Sequence, residues 1–324
     1  MRLGRELGRY RYDVDVVVVG GGPAGLAAAL YLRRFELSTL VITETIGGQL
    51  SLSPLVENYP GIPGLRGAEL ALRMRQQAEN AGATIVLDRV VSVEGEGGSF
   101  GVSGSRGTEA KARAVIVAIG AKRRRLGVPG EAEFVGRGVS YCGICDAPLY
   151  KGAKHVVVVG GGDSAAESAL LLSRLVEKVS LVHRRDSLRA QPIYARALRE
   201  AGNIEMVLES RVVRIIGDER VRAVELHNVR TGESKVLEVD GVFIEIGFEP
   251  DVEFARRLGL ETDDEGYIVV NEWMETSKPG IFAAGDCTTK WKGFRQVLVA
   301  AAQGAIAARS AYEFVRGLTR ASRA

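Results

Sequence analysis

One local pattern occurs twice in the chain and limits the folds that it can adopt. Residues 15–25 read DVVVVGGGPAG, and residues 155–165 read HVVVVGGGDSA. Each copy is a short β-branched run followed by a glycine-rich turn and a segment rich in alanine and leucine, which predicts a strand, a tight turn and a helix. A strand that is apolar on both faces is typical of a parallel sheet covered by helices. The repeat therefore predicts two α/β domains of the same type.

Both copies continue with the same order of elements. We expect a second strand, a turn-rich antiparallel meander and a closing apolar strand that ends in glycine. These segments lie at 40–42, 84–106 and 115–120 in the first copy and at 179–182, 204–238 and 242–247 in the second.

The second copy is inserted into the first. After the second copy the sequence resumes with GIFAAGD at 280–286 and an apolar final helix, which have no counterpart in the second copy. We therefore predict two Rossmann-like, three-layer ββα nucleotide-binding domains, the first formed by 1–122 and 248–324 and the second by 123–247. The chain passes between the two domains near 121–129 and 247–252, and both segments contain Gly, Pro and charged residues, as linkers do. The basic run at 122–125 is interpreted as a solvated part of the first linker.

The first glycine turn has the full G-x-G-x-x-G spacing. Gly20 permits the tight turn, Gly22 lets a pyrophosphate approach the backbone, and Gly25 lets the helix pack closely on the strand. Glu44 follows about 20 residues later at the end of the second strand, where an acid binds ribose hydroxyls. A glycine turn without a ligand is the alternative, and the surrounding strand and helix argue against it.

The second turn, at 160–165, ends in alanine, and its second strand carries no acid. That strand runs into His183, Arg184 and Arg185, and Arg189 follows one turn later if the segment is helical. Guanidinium groups at this place suit a 2′-phosphate, which favours NADP over NAD. A solvated basic surface is the alternative interpretation.

A C-x-x-C pair is the candidate redox centre. Cys142 and Cys145 are spaced to form a reversible disulfide across one turn, and Asp146 is placed to relay a proton. A metal site would need further ligands, but the sequence retains one other cysteine, Cys287, and three histidines without ligand spacing. We expect no metal, and we interpret Cys287 as a small core residue. Two unrelated core cysteines are a second alternative for the pair.

The bulk properties exclude several classes of protein. Apolar residues make up 46% of the chain, charged residues 26%, and the net charge is +3, which does not indicate binding to nucleic acid or to a membrane surface. The sequence shows no signal peptide and no apolar run long enough to span a bilayer. We therefore expect a cytoplasmic protein.

Several of these segments together resemble one family, the low-molecular-weight thioredoxin reductases of bacteria and archaea, which are FAD-dependent pyridine nucleotide-disulfide oxidoreductases. The resemblance covers nearly the whole chain after the first dozen residues and rests on 20–25, 47–50, 57–61, 142–146, 160–165, 183–189, 284–286 and 295–296. The sequence departs from the family pattern at Ile119, Glu245, Phe248 and Glu249.

The resemblance implies a homodimeric thioredoxin-disulfide reductase in which electrons pass from NADPH through FAD to the Cys142–Cys145 disulfide and then to thioredoxin or a thioredoxin-like protein. Cys145 would face the flavin, Cys142 would attack the partner disulfide, and Asp146 would be the acid and base. The implied FAD residues are Gly20, Gly22, Pro23, Ala24, Gly25, Glu44, Gly48, Gln49, Leu50, Asn58, Val90, Ala118, Gly120, Gly285, Asp286, Arg295, Gln296 and Val297. The implied NADPH residues are Gly161, Gly162, Asp163, Ser164, His183, Arg184, Arg185, Arg189, Ile246 and Gly247.

Two alternatives remain open at this point. An enzyme of the same build could use another acceptor, such as a glutaredoxin-like disulfide oxidoreductase, a peroxiredoxin system or oxygen. A non-catalytic nucleotide-binding sensor is the alternative from another class.

Overall fold

The computed structural model describes residues 4–6, 9–53, 56–62, 64–292 and 294–321, with the backbone alone at 4–6, 9, 144–145 and 319–321. Its strands are β1 Gly4–Glu6, β2 Arg9–Gly21, β3 Thr39–Ile46, β4 Thr84–Leu87, β5 Val90–Glu96, β6 Ser99–Gly104, β7 Thr108–Val117, β8 Ala121–Arg123, β9 Val139–Ser140, β10 His155–Gly160, β11 Lys178–Val182, β12 Ile204–Val207, β13 Ser210–Gly217, β14 Val221–Asn228, β15 Ser234–Glu238, β16 Gly241–Glu245, β17 Phe248–Pro250 and β18 Ile281–Ala283. Its helices are α1 Pro23–Arg34, α2 Gly67–Asn80, α3 Gly143–Asp146, α4 Asp163–Ser173, α5 Pro192–Glu200, α6 Val252–Arg257 and α7 Val297–Ala321.

The chain divides into two compact units. The outer unit comprises Met1–Lys122 and Glu249–Ala324, and the inserted unit comprises Arg123–Phe248. The short strands β8 and β17, which carry the two crossings, pair with each other. Among the described residues, no helix combines the length and apolar character that crossing a membrane requires.

The outer unit is built on a mixed sheet with strand order β4-β3-β2-β7-β6-β5. Strands β4, β3, β2, β7 and β18 run parallel, while β5 and β6 continue the sheet as an antiparallel extension of β7. The central residues of β2, from Val16 to Val18, are fully buried, as a strand covered on both faces requires. Helix α7 packs against α1 at Gly304, where an added Cβ would lie 2.0 Å from the carbonyl oxygen of Ala24.

The inserted unit has a parallel sheet in the order β12-β11-β10-β16-β9 and a separate antiparallel sheet, β13-β14-β15. Alternate residues of β10 serve opposite faces, as the two-residue period of a strand dictates. Val156 and Val158 pack with helices α4 and α5, whereas Val157 and Val159 pack with residues of β13 and β14. The unit therefore has three layers, and the α/β prediction is confirmed.

One local prediction was wrong in part: β5 and β6 with β7, and β13 to β15, form the predicted antiparallel meanders, but each segment begins differently. The segments beginning at Thr84 and Ile204 do not open meanders, because β4 and β12 first complete the parallel sheets beside β3 and β11. A four-residue strand that follows a helix closes a β-α-β crossover, and turn-rich composition alone does not reveal it. In addition, the stretch from Arg184 to Arg189 is not helical. It is held as a loop, in which the Arg189 amide donates to the carbonyl oxygen of Gly161 at 2.6 Å.

Candidate active site

The first glycine turn joins β2 to α1 in the outer unit. Gly20 has φ +109°, and an added Cβ would lie 2.3 Å from the carbonyl oxygen of Ala118. A Cβ on Gly25 would lie 1.9 Å from the carbonyl oxygen of Gly20. Gly22 differs, because the nearest atom to its added Cβ is 4.0 Å away. The turn is therefore packed on two sides and open above Gly22, the residue directly before α1. Pro23 and Ala24 are the first two residues of that helix.

A buried hydroxyl that the sequence did not single out fixes this turn. The Gly21 amide donates to Thr43 Oγ1 at 2.8 Å, and the Gly47 amide donates to the carbonyl oxygen of Gly21 at 2.7 Å. Gly47 has φ +84° and lies between β3 and the 3-10 turn at Gly48–Leu52. Strand β3 and the turn that follows it therefore hold the first glycine turn through two hydrogen bonds to Gly21.

The turn at Gly285, which carries Asp286, lies beside α1. The Gly285 amide donates to Gln303 Oε1 at 2.7 Å, and the Thr288 hydroxyl donates to the same oxygen at 3.1 Å. A Cβ on Gly285 would lie 3.0 Å from the Cβ of Ala24. Gln303 is 4% exposed, so this buried amide of α7 fixes the turn that carries Asp286. Burial raises the pKa of Asp286, although Arg295 acts against this shift.

Predicted residues that are far apart in sequence meet in the outer unit. Asn58 Nδ2 donates to Gln296 Oε1 at 2.9 Å, across 238 residues of sequence. Arg295 Nη1 donates to the carbonyl oxygen of Asp286 at 2.5 Å, and its guanidinium lies 4.4 Å from the ring centroid of Tyr267. The Tyr267 ring, against which the Arg295 guanidinium packs, was not identified from the sequence.

The remaining predicted residues of the outer unit occupy strand ends and turns. Leu50 and Val90 are buried, Glu44 and Gln49 are exposed, and Gly120 has φ +65° with open space where its Cβ would be. Ala118 continues β7 and donates its amide to the carbonyl oxygen of Val19 at 2.8 Å. Gly48 begins a 3-10 turn and Val297 begins α7.

These residues fit a dinucleotide. The open face above Gly22 admits a pyrophosphate close to the backbone, where a side chain would intrude. Glu44 stands at the end of β3, where a ribose of such a ligand would lie.

The second glycine turn joins β10 to α4 in the inserted unit. A Cβ on Gly161 would lie 2.3 Å from the His183 ring, whereas a Cβ on Gly162 would meet nothing within 4 Å. Asp163 and Ser164 form the first turn of α4. The Asp163 carboxylate accepts hydrogen bonds from both the amide and the side chain of Gln191, which ties the arginine-bearing loop to the turn.

One buried ring nitrogen of His183 lacks a hydrogen-bond partner among the described residues. His183 is 7% exposed, and its buried Nε2 has no hydrogen-bond partner within the described part of the chain. Burial lowers the pKa of His183, and the charges of Arg189, Arg185 and Arg184 lower it further, so the ring is neutral near pH 7. All three arginines are exposed. An anionic ligand at this edge fits the residues present. Ile246 and Gly247 follow β16 at the same end of the sheet.

The predicted redox pair lies at the start of α3, with Cys142 directly before the helix and Cys145 within it. Cys142 is disulfide-bonded, and Cys287 is free and fully buried, as predicted. The Cys142 amide donates to Ser140 Oγ at 3.0 Å, and the Asp146 amide donates to the carbonyl oxygen of Cys142 at 3.1 Å. The side chain of Cys145 lies outside the described part of the structure. Among the described residues, no group of His, Cys, Asp or Glu is arranged to hold a metal ion.

An ion pair beside this segment was missed by sequence reasoning. Arg123 Nη1 donates to Glu245 Oε2 at 2.9 Å, with the Arg123 side chain 21% exposed and that of Glu245 6% exposed. The interpretation of the basic run as uniformly solvated was therefore wrong at Arg123. Lys122, by contrast, is 70% exposed and pairs with Asp251. The pairing joins residues 122 positions apart, and no local pattern signals it.

Comparison with known proteins agrees with this geometry. A family model described as pyridine nucleotide-disulphide oxidoreductase matches residues 14–304. The thioredoxin reductase of Bacillus subtilis is 44% identical over 307 residues, which cover 94% of this chain and 95% of that protein. The thioredoxin reductase of Listeria monocytogenes is 42% identical over 306 residues, which cover 94% of both proteins.

Solved structures give the same result. The thioredoxin reductase of Lactococcus lactis matches with a TM-score of 0.90 and 39% identity, covering 94% of this chain and 99% of that chain. The thioredoxin reductase of T. acidophilum matches with a TM-score of 0.87 and 37% identity, covering 93% and 98%. These matches confirm the predicted pair of Rossmann-like domains. The chain therefore belongs to the pyridine nucleotide-disulphide oxidoreductases and, within them, to the thioredoxin reductase family.

Proposed function

We propose that this protein is an NADPH-dependent thioredoxin-disulfide reductase that acts through FAD and a Cys142–Cys145 disulfide. The observation that carries the proposal is the disulfide of Cys142, in a chain that also has two glycine turns with open faces at Gly22 and Gly162. The similarity to thioredoxin reductases over 94% of the chain supports thioredoxin as the class of acceptor.

The outer unit is proposed to bind FAD and the inserted unit NADPH. FAD, when bound, supplies two-electron transfer between a nicotinamide and a disulfide. Gly22 and the first turn of α1 would bind the pyrophosphate, and Asp286, held by Arg295, would bind the ribityl-phosphate part. Arg184, Arg185 and Arg189 would bind the 2′-phosphate that distinguishes NADPH from NADH.

The exchange with the acceptor is assigned to Cys142. Its thiolate attacks one sulfur of the partner disulfide, so a mixed disulfide forms and one partner thiolate leaves. The thiolate of Cys145 then attacks the Cys142 sulfur, which re-forms the internal disulfide and releases the second partner thiolate. Asp146 is proposed to deliver and accept the protons of these thiols. A homodimer, which the family resemblance implies, and a cytoplasmic location, which the sequence predicts, complete the proposal.

An insulin-reduction assay tests the proposed function. NADPH and several thioredoxin-like proteins are supplied, with NADH in parallel, and insulin precipitation is followed. We expect Cys142→Ser to keep the loss of flavin absorbance on NADPH addition and to abolish insulin reduction. Cys287→Ala, which alters a buried thiol away from the exchange, is the matched control and should keep activity. Turnover of Cys142→Ser with thioredoxin would refute the assigned role, and no reduction with any partner would favour another acceptor.

A further inference from the structure

Two charged side chains fasten the chain on both sides of Cys142. The carboxylate of Glu245 ends β16, and its Oε1 accepts the amide of Gly143 at 2.9 Å. Its Oε2 accepts Nη1 of Arg123 at 2.9 Å. The same Arg123 nitrogen donates to the carbonyl oxygen of Tyr141. The residues immediately before and after Cys142 are therefore both tied to one partly buried ion pair.

The approach of Glu245 to this segment depends on the absence of a side chain at Gly143. Ser168 Oγ donates to Glu245 Oε1 at 3.1 Å, and an added Cβ on Gly143 would lie 2.3 Å from that hydroxyl oxygen. One carbonyl carbon separates the Gly143 nitrogen from the Cα of Cys142, so the carboxylate lies within about 5–6 Å of that Cα.

Another acidic side chain faces Glu245 from the neighbouring helix. The pKa of Glu167 on α4 is raised, chiefly by burial, and the charges of Asp163 and Glu245 add to this against a hydrogen bond from Tyr194. Arg123 is the cation that pairs with Glu245. Removing either member of this pair would leave the other charge unbalanced beside Cys142.

We propose that Arg123 and Glu245 form a charge-balanced clamp that positions the Cys142 disulfide and sets its reduction potential. Arg123 and Glu245 lie outside the segments on which the family resemblance rests, and Glu245 is a position where the sequence departs from the family pattern. The inference rests on the proposed function in one respect, that the Cys142 disulfide is the group reduced in turnover. Both residues are positioning residues that act through the backbone and the local field.

The signs of the two single-residue effects are opposite. Reduction adds two electrons and two protons to the disulfide and gives two thiols, which ionise in part to thiolate. A nearby cation stabilises the thiolate and so favours the reduced form, whereas a nearby anion has the reverse effect. Glu245→Gln leaves Arg123 unbalanced and should raise the potential. Arg123→Met leaves Glu245 unbalanced and should lower it.

The expected size of each shift is threefold to tenfold in the equilibrium constant between disulfide and dithiol, which is about 15–30 mV for a two-electron couple. The double variant, which removes both charges, should return close to the unmodified protein. Arg123→Lys keeps the charge and should shift the potential less than Arg123→Met does.

Redox titration of the holoenzyme tests the clamp. The protein is equilibrated in dithiothreitol buffers of graded potential, quenched in acid and alkylated, and the Cys142 peptide is quantified by mass spectrometry. Glu225→Gln is the matched control, because Glu225 forms a 3.0 Å ion pair with Arg214 elsewhere in the inserted unit. Thermal unfolding accompanies every variant, since removing one partner of a buried pair lowers stability.

Opposite shifts in the two single variants, with near-cancellation in the double variant, would support the clamp. Shifts of the same sign, or unchanged potentials in folded variants, would overturn it. If Glu245→Gln does not fold, the comparison of Arg123→Met with Arg123→Lys still decides the sign. The titration needs no thioredoxin, so a negative insulin assay would refute the proposed acceptor and leave this inference separately tested.

Discussion

At the scale of the residue, two glycines of the first glycine turn lack a side chain for different reasons, one for packing and one for ligand binding. Gly25 has no side chain because the protein itself fills the space, with the carbonyl oxygen of Gly20 at 1.9 Å from an added Cβ. Gly22 faces open space, so its lack of a side chain serves the approach of a ligand instead. Gly25 is therefore required for folding, whereas Gly22 is required for the proposed binding of a ligand.

Alanine substitution at these positions gives a direct test. Gly25→Ala should destabilise the outer unit strongly, because the clash is with backbone and no side chain can move aside. Gly22→Ala should leave thermal stability of the apoprotein nearly unchanged and weaken FAD binding at least tenfold. Unfolding of the apoprotein and fluorescence titration with FAD measure the two effects. Unchanged FAD affinity in a folded Gly22→Ala protein would contradict the proposed site.

Residue types were predictable at the site, but their partners were not. The glycine turns and the C-x-x-C have fixed local spacing, so the sequence alone predicts them. The hydrogen bond from Asn58 to Gln296 spans 238 residues, and the pair of Arg123 and Glu245 spans 122. Such contacts are set by how whole elements pack. For this reason the local pattern at 122–125 predicts a solvated Arg123, although the side chain is paired.

At the scale of the element, a buried carboxylate joins two turns at one end of the outer sheet. Asp88 is 1% exposed and lies between β4 and β5. It accepts the amides of Arg89 at 2.7 Å and Arg106 at 2.9 Å, and the hydroxyl of Ser105 at 3.1 Å. An added Cβ on Gly104 would lie 2.2 Å from its Oδ2. The turn between β6 and β7 is therefore held by hydrogen bonds to the Asp88 carboxylate.

This arrangement predicts a pH-dependent contribution to stability. Burial alone would raise the pKa of Asp88, but hydrogen bonds from Thr108, Arg106 and Arg89 outweigh it and hold the pKa below its ordinary 3.8. Because the folded pKa lies below the unfolded one, the carboxylate stabilises the fold above the unfolded pKa. That contribution is lost as the pH falls through the folded pKa.

The variant Asp88→Asn should therefore lower the free energy of unfolding at pH 7 by roughly 1–3 kcal/mol. The difference from the unmodified protein should shrink as the pH falls below about 4. Urea unfolding at pH 7 and at pH 3 measures both quantities, with the exposed Asp264→Asn as control. A difference that stays constant or grows toward acid would show that the charge of Asp88 does not stabilise the fold.

The elements themselves were largely predictable because their periodicity is local. The apolar runs of β2 and β10 predicted buried parallel strands, and the alanine-rich segments after them predicted α1 and α4. The assignment failed at β4 and β12, which are four-residue strands that gain their place from the neighbouring strand. Composition shows that such a segment is extended, but it does not show which sheet receives it.

At the scale of the whole molecule, the two units have separate apolar cores. Cys287 belongs to the core of the outer unit and is fully buried. Burial and the charge of Asp286 raise its pKa to about 12, so its thiol stays protonated and shielded in the folded protein. Its alkylation therefore reports opening of the outer unit.

This thiol can test which unit binds which cofactor. A ligand that binds the folded unit alone lowers the population of its open form by the factor 1 + [L]/Kd, about a hundredfold at a hundred times Kd. Added to the reduced apoprotein in alkylating reagent, FAD should slow the labelling of Cys287 by about that factor. NADPH at the same multiple of its Kd should leave the labelling of Cys287 nearly unchanged, because it would stabilise the inserted unit. Peptide mass spectrometry follows Cys287, with Cys142 labelled early as the internal reference. Protection of Cys287 by NADPH and not by FAD would reverse the assignment of the two units.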